Sequence, residues 1–351
     1  MAAVSVIGGG PSGMIAAASA ARHWDHDVVV YEEHKTLGLP EQCGGLLSNT
    51  AIEWFNKLGV RTSSSLLNRI DIAVLHAGNI SVSAKVSANV IRRSLFDRAC
   101  ADFAESKGAK IRKGKRLTEQ QIISLSKRSA PNPSNQIIGA DGTLSTTASA
   151  FNFPQLKHVA VAMQTNLGSM ELDKNKFNAF FFKDSFGWII PLNEENARVG
   201  LAFFKKNRNA KSAFDMFIRR IAKGYGGNPI PHSFFADCVP YALRNQIQKD
   251  NVCLVGDAAG QVKATSLGGI YYGCRSAWIA GQTLGAEADN YENRWKKEIR
   301  QDLHLHGIAR QMMNSNAAVI SSLLALKTLE KMGVYLRYDM EKISSLSIFR
   351  M

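Results

Sequence analysis

The stretch that decides the fold is Ala2-Ala3-Val4-Ser5-Val6-Ile7-Gly8-Gly9-Gly10-Pro11-Ser12-Gly13, continued by the Ala-rich run to His23. Residues 2–7 are a short apolar run of the kind that makes a strand buried on both faces. Residues 12–23 read as a helix, and residues 28–31 (Val-Val-Val-Tyr) as a second buried strand. Strand, helix, strand in this order places the two strands parallel, joined by a right-handed crossover. The turn between them has the G-x-G-x-x-G pattern. Gly8 permits a tight turn, Gly10 lets backbone approach a pyrophosphate, and Gly13 lets helix pack closely on strand. The helix N-terminus offers free N–H groups and the positive end of its dipole to phosphate. Glu32 ends the second strand, nineteen residues past Gly13. A carboxylate there accepts hydrogen bonds from ribose hydroxyls and argues against a 2′-phosphate. The bland alternative is a Gly-rich turn without a ligand, which the full strand–turn–helix–strand–acid context outweighs.

Two further motifs point the same way. Gly139-Ala140-Asp141-Gly142 follows the short apolar strand 137–140, and Val255-Gly256-Asp257-Ala258-Ala259-Gly260 follows the strand 252–255 and precedes a helix. A Gly-Asp at the end of a parallel strand can set a carboxylate against a ribityl chain or ribose. Either motif alone is as easily a turn, since Asp-Gly is a common turn pair.

Outward from these motifs, residues 50–58 read as a short helix. Residues 90–107 read as an amphipathic helix with Leu95, Phe96, Ala99, Cys100 and Phe103 on one face. Turn residues make 127–135 and 223–233 loops. Residues 158–165, 177–183, 187–192 and 197–204 are β-rich and predict a largely antiparallel sheet. The expected organisation is a nucleotide-binding part over 1–150, with a short excursion toward the second lobe at 60–90. A β-rich substrate part follows over 151–245, then a return to the nucleotide-binding part over 246–290 and a helical, basic segment over 291–351.

Composition sets limits. With 45% hydrophobic residues and 21% charged residues, the chain has the material for a sizeable core. The net charge of +14 suits a nucleic acid, an anionic membrane or an anionic small molecule, or is simply a basic surface. No zinc-finger spacing or RNA-binding signature supports the first. The five cysteines form no C-x-x-C and no metal-ligand spacing, so no metal is expected and a reducing, cytoplasmic setting fits. The early strand leaves no room for a signal peptide, and no apolar run approaches a bilayer span. Contact with a membrane is therefore expected to be peripheral, at the inner face of the cell membrane. Residues 294–331 interleave Arg294, Lys296, Lys297, Arg300, Arg310, Lys327 and Lys331 with Val319, Ile320, Leu323, Leu324 and Leu326. This segment either rests on anionic headgroups or packs on the nucleotide-binding part.

Taken in order, Gly8–Gly13, Glu32, Arg93, Asp141-Gly142 and Gly256-Asp257-Ala258-Ala259 resemble the FAD-binding set of glutathione-reductase-like flavoproteins, in the p-hydroxybenzoate hydroxylase branch. Residues 38–48 and Phe186-Gly187-Trp188-Ile189-Ile190-Pro191, together with the loop at 256–273, resemble the geranylgeranyl reductase family within that branch. The resemblance covers roughly residues 1–300. It implies non-covalent FAD and reduction of isolated C=C bonds in prenyl chains, such as those of archaeal diether lipid precursors. By position it implies that Gly8, Gly10, Gly13 and Glu32 hold the ADP half and that Arg93 reaches the pyrophosphate side. Asp141 and Asp257 would bind ribose, ribityl or pyrophosphate, and Gly268 and Gly269 would bring backbone to the flavin ring. Cys43, with Gly44 beside it, matches a cysteine placed near the isoalloxazine, and Phe186 and Trp188 fill the aromatic-x-Trp-x-x-Pro motif. The chain departs from the family's pattern at Phe186, Ile190, Ala264 and Leu267.

The chemistry this implies is demanding. An isolated alkene is a poor hydride acceptor, so positioning is the protein's main contribution. Phe180, Phe181, Phe182, Phe186, Trp188, Phe203 and Phe204 are candidates to line an apolar tunnel, and alternation must send some of them to ordinary core. Cys43 reads as a buried hydrophobe, a proton donor or a group tuning the flavin. Tyr241, Tyr271 and Tyr272 are other proton sources, and His23, His26 and His34 are expected to face solvent. Two competing readings stay open: a flavin monooxygenase or halogenase acting on an apolar substrate, and an electron-transfer flavoprotein serving a quinone. No second nicotinamide motif is present, so NADPH, ferredoxin or another reductant could supply the electrons.

Overall fold

The computed structural model describes residues 3–25, 27–127, 135–284 and 290–350. The loop expected at 127–135 therefore lies mostly outside the described residues, as does His26. The chain begins with β1 (Ala3–Ile7), α1 (Pro11–His23), β2 (Asp27–Tyr31), β3 (Leu46–Ser48) and α2 (Asn49–Leu58). The long hairpin β4 (Leu66–Ala77) and β5 (Ile80–Ile91) leads into α3 (Arg93–Ser106), β6 (Lys110–Arg112), α4 (Glu119–Lys127), β7 (Gln136–Gly139) and α5 (Thr146–Ala150). Next come β8 (Val159–Met170), β9 (Lys176–Phe182), β10 (Ser185–Pro191), β11 (Ala197–Phe203), α6 (Ala210–Tyr225), β12 (Gly226–Pro229) and β13 (Phe235–Pro240). The chain returns through β14 (Gln248–Lys249), β15 (Val252–Leu254) and α7 (Ile270–Gln282). It ends with α8 (Tyr291–Glu298), α9 (Arg300–Met312), α10 (Asn316–Lys331), β16 (Val334–Arg337) and β17 (Ser347–Arg350).

Two sheets result. The first has the order β14-β15-β7-β1-β2-β6, parallel except for β14. α1 packs between this sheet and α7, with Met14, Ile15 and Ala16 fully buried. The second sheet has the order β12-β8-β11-β10-β9-β4-β5-β16-β17, with β13 on β8 and β3 on β5. It is antiparallel except at β4–β9 and β5–β16. This is the α/β arrangement expected: a nucleotide-binding sheet interrupted by a β-rich second lobe.

The structure gives one expectation its form and corrects several others. The excursion at 60–90 is the β4–β5 hairpin, which stands in the middle of the second sheet. α3 starts at Arg93 because the chain up to Ile91 is still paired as β5, and Leu95 points outward at 39% exposure. The segment 223–233 is the end of α6 and an edge strand, β12, before it becomes a turn. The helical tail stops at Lys331, and the residues beyond return as β16 and β17 to extend the second sheet. α10 buries its apolar side on that sheet: Val319, Ile320, Leu323 and Leu326 cover Leu75, Ala77, Ile80 and Val82, while Leu324 stays half exposed. Its packing partner is thus the second lobe, not the nucleotide-binding part. Among the described residues, no helix is long and apolar enough to cross a membrane.

Candidate functional site

The turn from β1 to α1 is built as its glycines require. Gly8 has φ +103°, and a Cβ on it would fall 2.3 Å from the Ala140 carbonyl oxygen. A Cβ on Gly13 would fall 1.9 Å from the carbonyl oxygen of Gly8. At Gly10, by contrast, a Cβ would meet nothing within 4 Å. Gly10 is also the N-cap of α1 and gives it no side-chain cap, so the amides of the first turn face open ground. Glu32, 8% exposed, accepts from the Gly9 N–H at 2.7 Å through one oxygen. Its other oxygen takes the His34 N–H and lies 2.7 Å from His34 Nδ1. Each carboxylate oxygen still has lone-pair capacity for a ribose hydroxyl.

The third glycine motif meets the first. A Cβ on Gly256 would lie 2.8 Å from Ser12 Oγ, which places the 256–260 turn at the start of α1. Asp257 stands where this turn faces the N-terminus of α7, with its Oδ1 2.9 Å from the Cβ position of Gly269. Gly269 in turn is the N-cap of α7, again without a side-chain cap. Burial pushes the Asp257 carboxyl up to about 6, with Asp237 adding to the rise and Arg93 opposing it. A carboxylate half-buried at the meeting of two uncapped helix N-termini suits a ligand bearing both phosphate and hydroxyl groups, as FAD does.

Asp257 therefore carries two opposed predictions. Its folded pKa lies above the unfolded value of 3.8, so the folded apoprotein holds a proton that the unfolded chain has released. Apoprotein stability should fall as pH rises from about 4 to about 6 and level off above that. Asp257→Asn should flatten this slope and stabilise the apoprotein at about pH 7.5 by up to about 3 kcal/mol. The same change should weaken FAD binding about tenfold through a lost charge-assisted hydrogen bond. Apoprotein melting against pH, with FAD titration alongside, checks both signs.

Other expected ligand residues are placed differently. The Asp141 carboxylate accepts from Ser145 Oγ at 2.6 Å, from the Thr147 N–H at 2.8 Å and from Thr147 Oγ1 at 3.0 Å. It organises the first turn of α5, and burial raises its pKa despite those bonds. Arg93 makes a bidentate pair with Asp97, one turn along α3, at 2.8 and 2.9 Å. Burial works against its charge, but the Asp97 carboxylate outweighs that and holds it on. The Asp97 pair uses two of the guanidinium's five N–H groups. A Cβ on Gly268 would press on Lys263 Cε at 2.8 Å, so the loop 263–269 is closely packed.

The loop 41–45 joins the nucleotide-binding part to the second lobe. Gln164 Nε2 donates to the Cys43 carbonyl at 3.3 Å, and Trp188 Nε1 donates to Gln164 Oε1 at 2.9 Å. A Cβ on Gly44 would lie 2.9 Å from Ile190 Cδ1. Cys43, Gly44, Trp188 and, through a ring contact at 6.0 Å, Phe186 thus form one cluster. Arg198 fixes the loop from beneath. Its guanidinium donates to the carbonyls of Gly44 and Ile91 at 3.0 and 2.9 Å and pairs with Glu41 at 3.1 Å. Glu41 in turn accepts from the N–H and hydroxyl of Ser94, at the start of α3.

The aromatic candidates divide by strand alternation. Phe181, Phe186, Trp188 and Phe204 lie on the inner face with Phe177 and Ile190. Phe180 and Phe203 lie on the outer face under α6, and Phe182 packs edge-on against Phe217 of that helix. They are core or its rim, not tunnel. Trp188 lies flat enough on β11 that a Cβ on Gly200 would fall 2.1 Å from its ring. Of the tyrosines, Tyr272 is buried with its hydroxyl on the Glu341 carbonyl, while Tyr241 lies at the inner face and donates to the Phe204 carbonyl. His23 and His34 are exposed, as expected.

Three residues that sequence reasoning missed complete the site. Arg198 interrupts a strand buried at every position, a signal that the charge must be paired. Gln164 carries no such signal. Glu341, 1% exposed, pairs with Lys263 of the glycine-rich loop at 2.9 Å and accepts from Ser48 Oγ at 2.8 Å. The end of the chain thereby reaches back to this loop.

Comparison with known proteins agrees with this geometry. Across 378 aligned residues, covering 98% of this chain and 93% of the relative, it is 29% identical to an uncharacterized protein of Methanocaldococcus jannaschii. It is 28% identical over 332 residues to the digeranylgeranylglycerophospholipid reductase of Methanococcus aeolicus, covering 84% of this chain and 82% of that one. Its fold matches the crystal structure of a geranylgeranyl bacteriochlorophyll reductase-like protein from Thermoplasma acidophilum with a TM-score of 0.81. That likeness spans 98% of this chain and 95% of the other at 19% identity. The FAD binding domain family model matches residues 1–289, the span that holds all three glycine motifs, so the chain belongs to that family and is an FAD-dependent oxidoreductase.

Proposed function

We propose that this protein saturates isolated C=C bonds in geranylgeranyl chains, acting on a prenylated precursor of archaeal-type membrane lipid. The observation that carries this reading is the continuity between the FAD site and an apolar surface. The inner face of the second sheet, with Phe177, Phe181, Phe186 and Phe204, leads to Trp188 and from there to the Cys43 loop. Bound and reduced, FAD supplies the hydride for such a reaction. The chain's own residues do the positioning. Trp188, held by Gln164 and resting on Gly200, gives a flat wall against which a planar trisubstituted alkene can lie. The surrounding aliphatic and aromatic side chains exclude water. In this reading Cys43, on the loop that touches Trp188, delivers the proton to the second alkene carbon. The names of relatives such as the Methanococcus aeolicus reductase support the same substrate class. The net charge of +14 fits peripheral contact with an anionic membrane that holds such a substrate.

The test is an anaerobic one. The purified flavoprotein is photoreduced and mixed with geranylgeranylated diether lipid. Reoxidation of the flavin by the lipid, with a mass gain of two hydrogens per bond, is the expected result. A flavin reoxidised only by O2, with oxygen found in the product, would replace this reading by a monooxygenase.

A further inference from the structure

Arg310, on α9, is 4% exposed, and no carboxylate pairs with it among the described residues. Its Nε–H is buried without a hydrogen-bond partner. Its Nη2 donates to Asn314 Oδ1 at 3.0 Å, and its guanidinium carbon stands 3.5 Å from the centroid of the Phe204 ring. Phe204 belongs to the inner-face cluster with Phe186 and Ile190, and Tyr241 packs edge-on against it at 5.1 Å. The acid whose charge reaches Arg310, Asp184, is already tied to Lys205 at 2.9 Å. One turn before Arg310, His306 joins α9 to the glycine-rich loop through Thr265, at 2.8 Å.

A guanidinium does not deprotonate, and a buried charge without a counter-charge is costly. Stacking on Phe204 offsets only part of that cost. A fork of donors with one N–H unused, beside an apolar wall, is the arrangement that receives the oxyanion of an amphiphile. We propose that Arg310 anchors an anionic headgroup, a phosphate ester, on the substrate. The prenyl chain then runs from Arg310 across Phe204 to Phe186 and Trp188. This inference rests on the prenyl-lipid reading, and it adds a polarity to it: headgroup at α9, reacting alkene at the Cys43 loop.

The holoenzyme is titrated with geranylgeranyl phosphate, geranylgeraniol and inorganic phosphate, and binding is followed by the perturbation of the flavin spectrum and by calorimetry. The wild type should bind the prenyl phosphate about 30-fold more tightly than the alcohol, as a forked charge-assisted contact implies. In Arg310→Met the two affinities should converge. Arg310→Lys, which keeps the charge but loses the fork, should fall between them. Should Arg310→Met fail to hold its flavin, Arg310→Lys decides alone, through a clear fall in the ratio. A preference unchanged in these variants overturns the proposal. So does inorganic phosphate binding as tightly as the prenyl phosphate, which would mark a free-phosphate site. The readout needs no turnover, so the two readings fail separately. Arg310-dependent binding without reduction of any prenyl lipid removes the function and leaves the anion site. Reduction of the lipid with no Arg310-dependent preference does the reverse.

Discussion

Gly13→Ala should leave the column colourless, with FAD affinity of the apoprotein lowered at least about 100-fold, equivalent to about 3 kcal/mol. The new methyl would lie 1.9 Å from the Gly8 carbonyl oxygen. Both contacting groups belong to the main chain, so no side chain can swing aside. Gly8 has no slack to give, because its own Cβ position is 2.3 Å from the Ala140 carbonyl and its φ is +103°. Relief must therefore come from moving α1 away from β1, which takes the helix N-terminus away from the phosphates and opens the core around Met14 and Ile15. Gly10→Ala separates the two consequences. Nothing lies within 4 Å of its Cβ, so the apoprotein should melt as the wild type does while FAD binding is lost to the methyl standing in the pyrophosphate's place. Apoprotein melting and FAD titration on both variants give the comparison. A yellow Gly13→Ala protein with unaltered affinity would mean that the helix tolerates the shift and that the tight turn does not set the cofactor site.

The glycines and Glu32 were legible in the sequence because their roles are local. A tight turn, a close approach and an acid at a strand end are fixed by a few neighbouring residues. Asp141 has the same local appearance, and its oxygens also accept from Ser145 and Thr147, four and six residues on. Nothing in a Gly-Asp pair tells whether the carboxylate faces a ligand or the next helix. The second lobe was legible as β-rich, but its membership was not. β4 and β5, and β16 at the far end of the chain, join strands distant from them in sequence, and pairing across such distances leaves no mark in the local pattern. Period-2 alternation did say that the phenylalanines must divide between two faces. It could not say which face α6 covers, and the structure shows that this is the face of Phe180 and Phe203. In the sequence Arg310 is one more cation of a basic segment, and only the packing of α9 shows it to be buried.

Arg198→Met should cost about 3–5 kcal/mol of apoprotein stability, the scale expected when one partner of a buried charge network is removed. The side chain fits the strand, since β11 is buried at every position and a Met fills a similar volume. What is lost is polar. The carbonyls of Gly44 and Ile91 lose their donor, and Ile91 is fully buried, so water cannot replace it. Glu41 loses its ion-pair partner too, but its side chain is 26% exposed and it keeps the two donors of Ser94. Glu41→Gln should accordingly cost only about 1 kcal/mol. The two together should cost little more than Arg198→Met alone, because the pair is removed only once. Loss of the guanidinium also frees the 43–45 loop, which reaches Trp188 through Gln164. Denaturant unfolding of the four proteins, followed by tryptophan fluorescence, measures both effects. An Arg198→Met protein as stable as the wild type would show that the loop is held by Gln164 and Ile190 instead, and that the charge inside β11 serves a ligand rather than the fold.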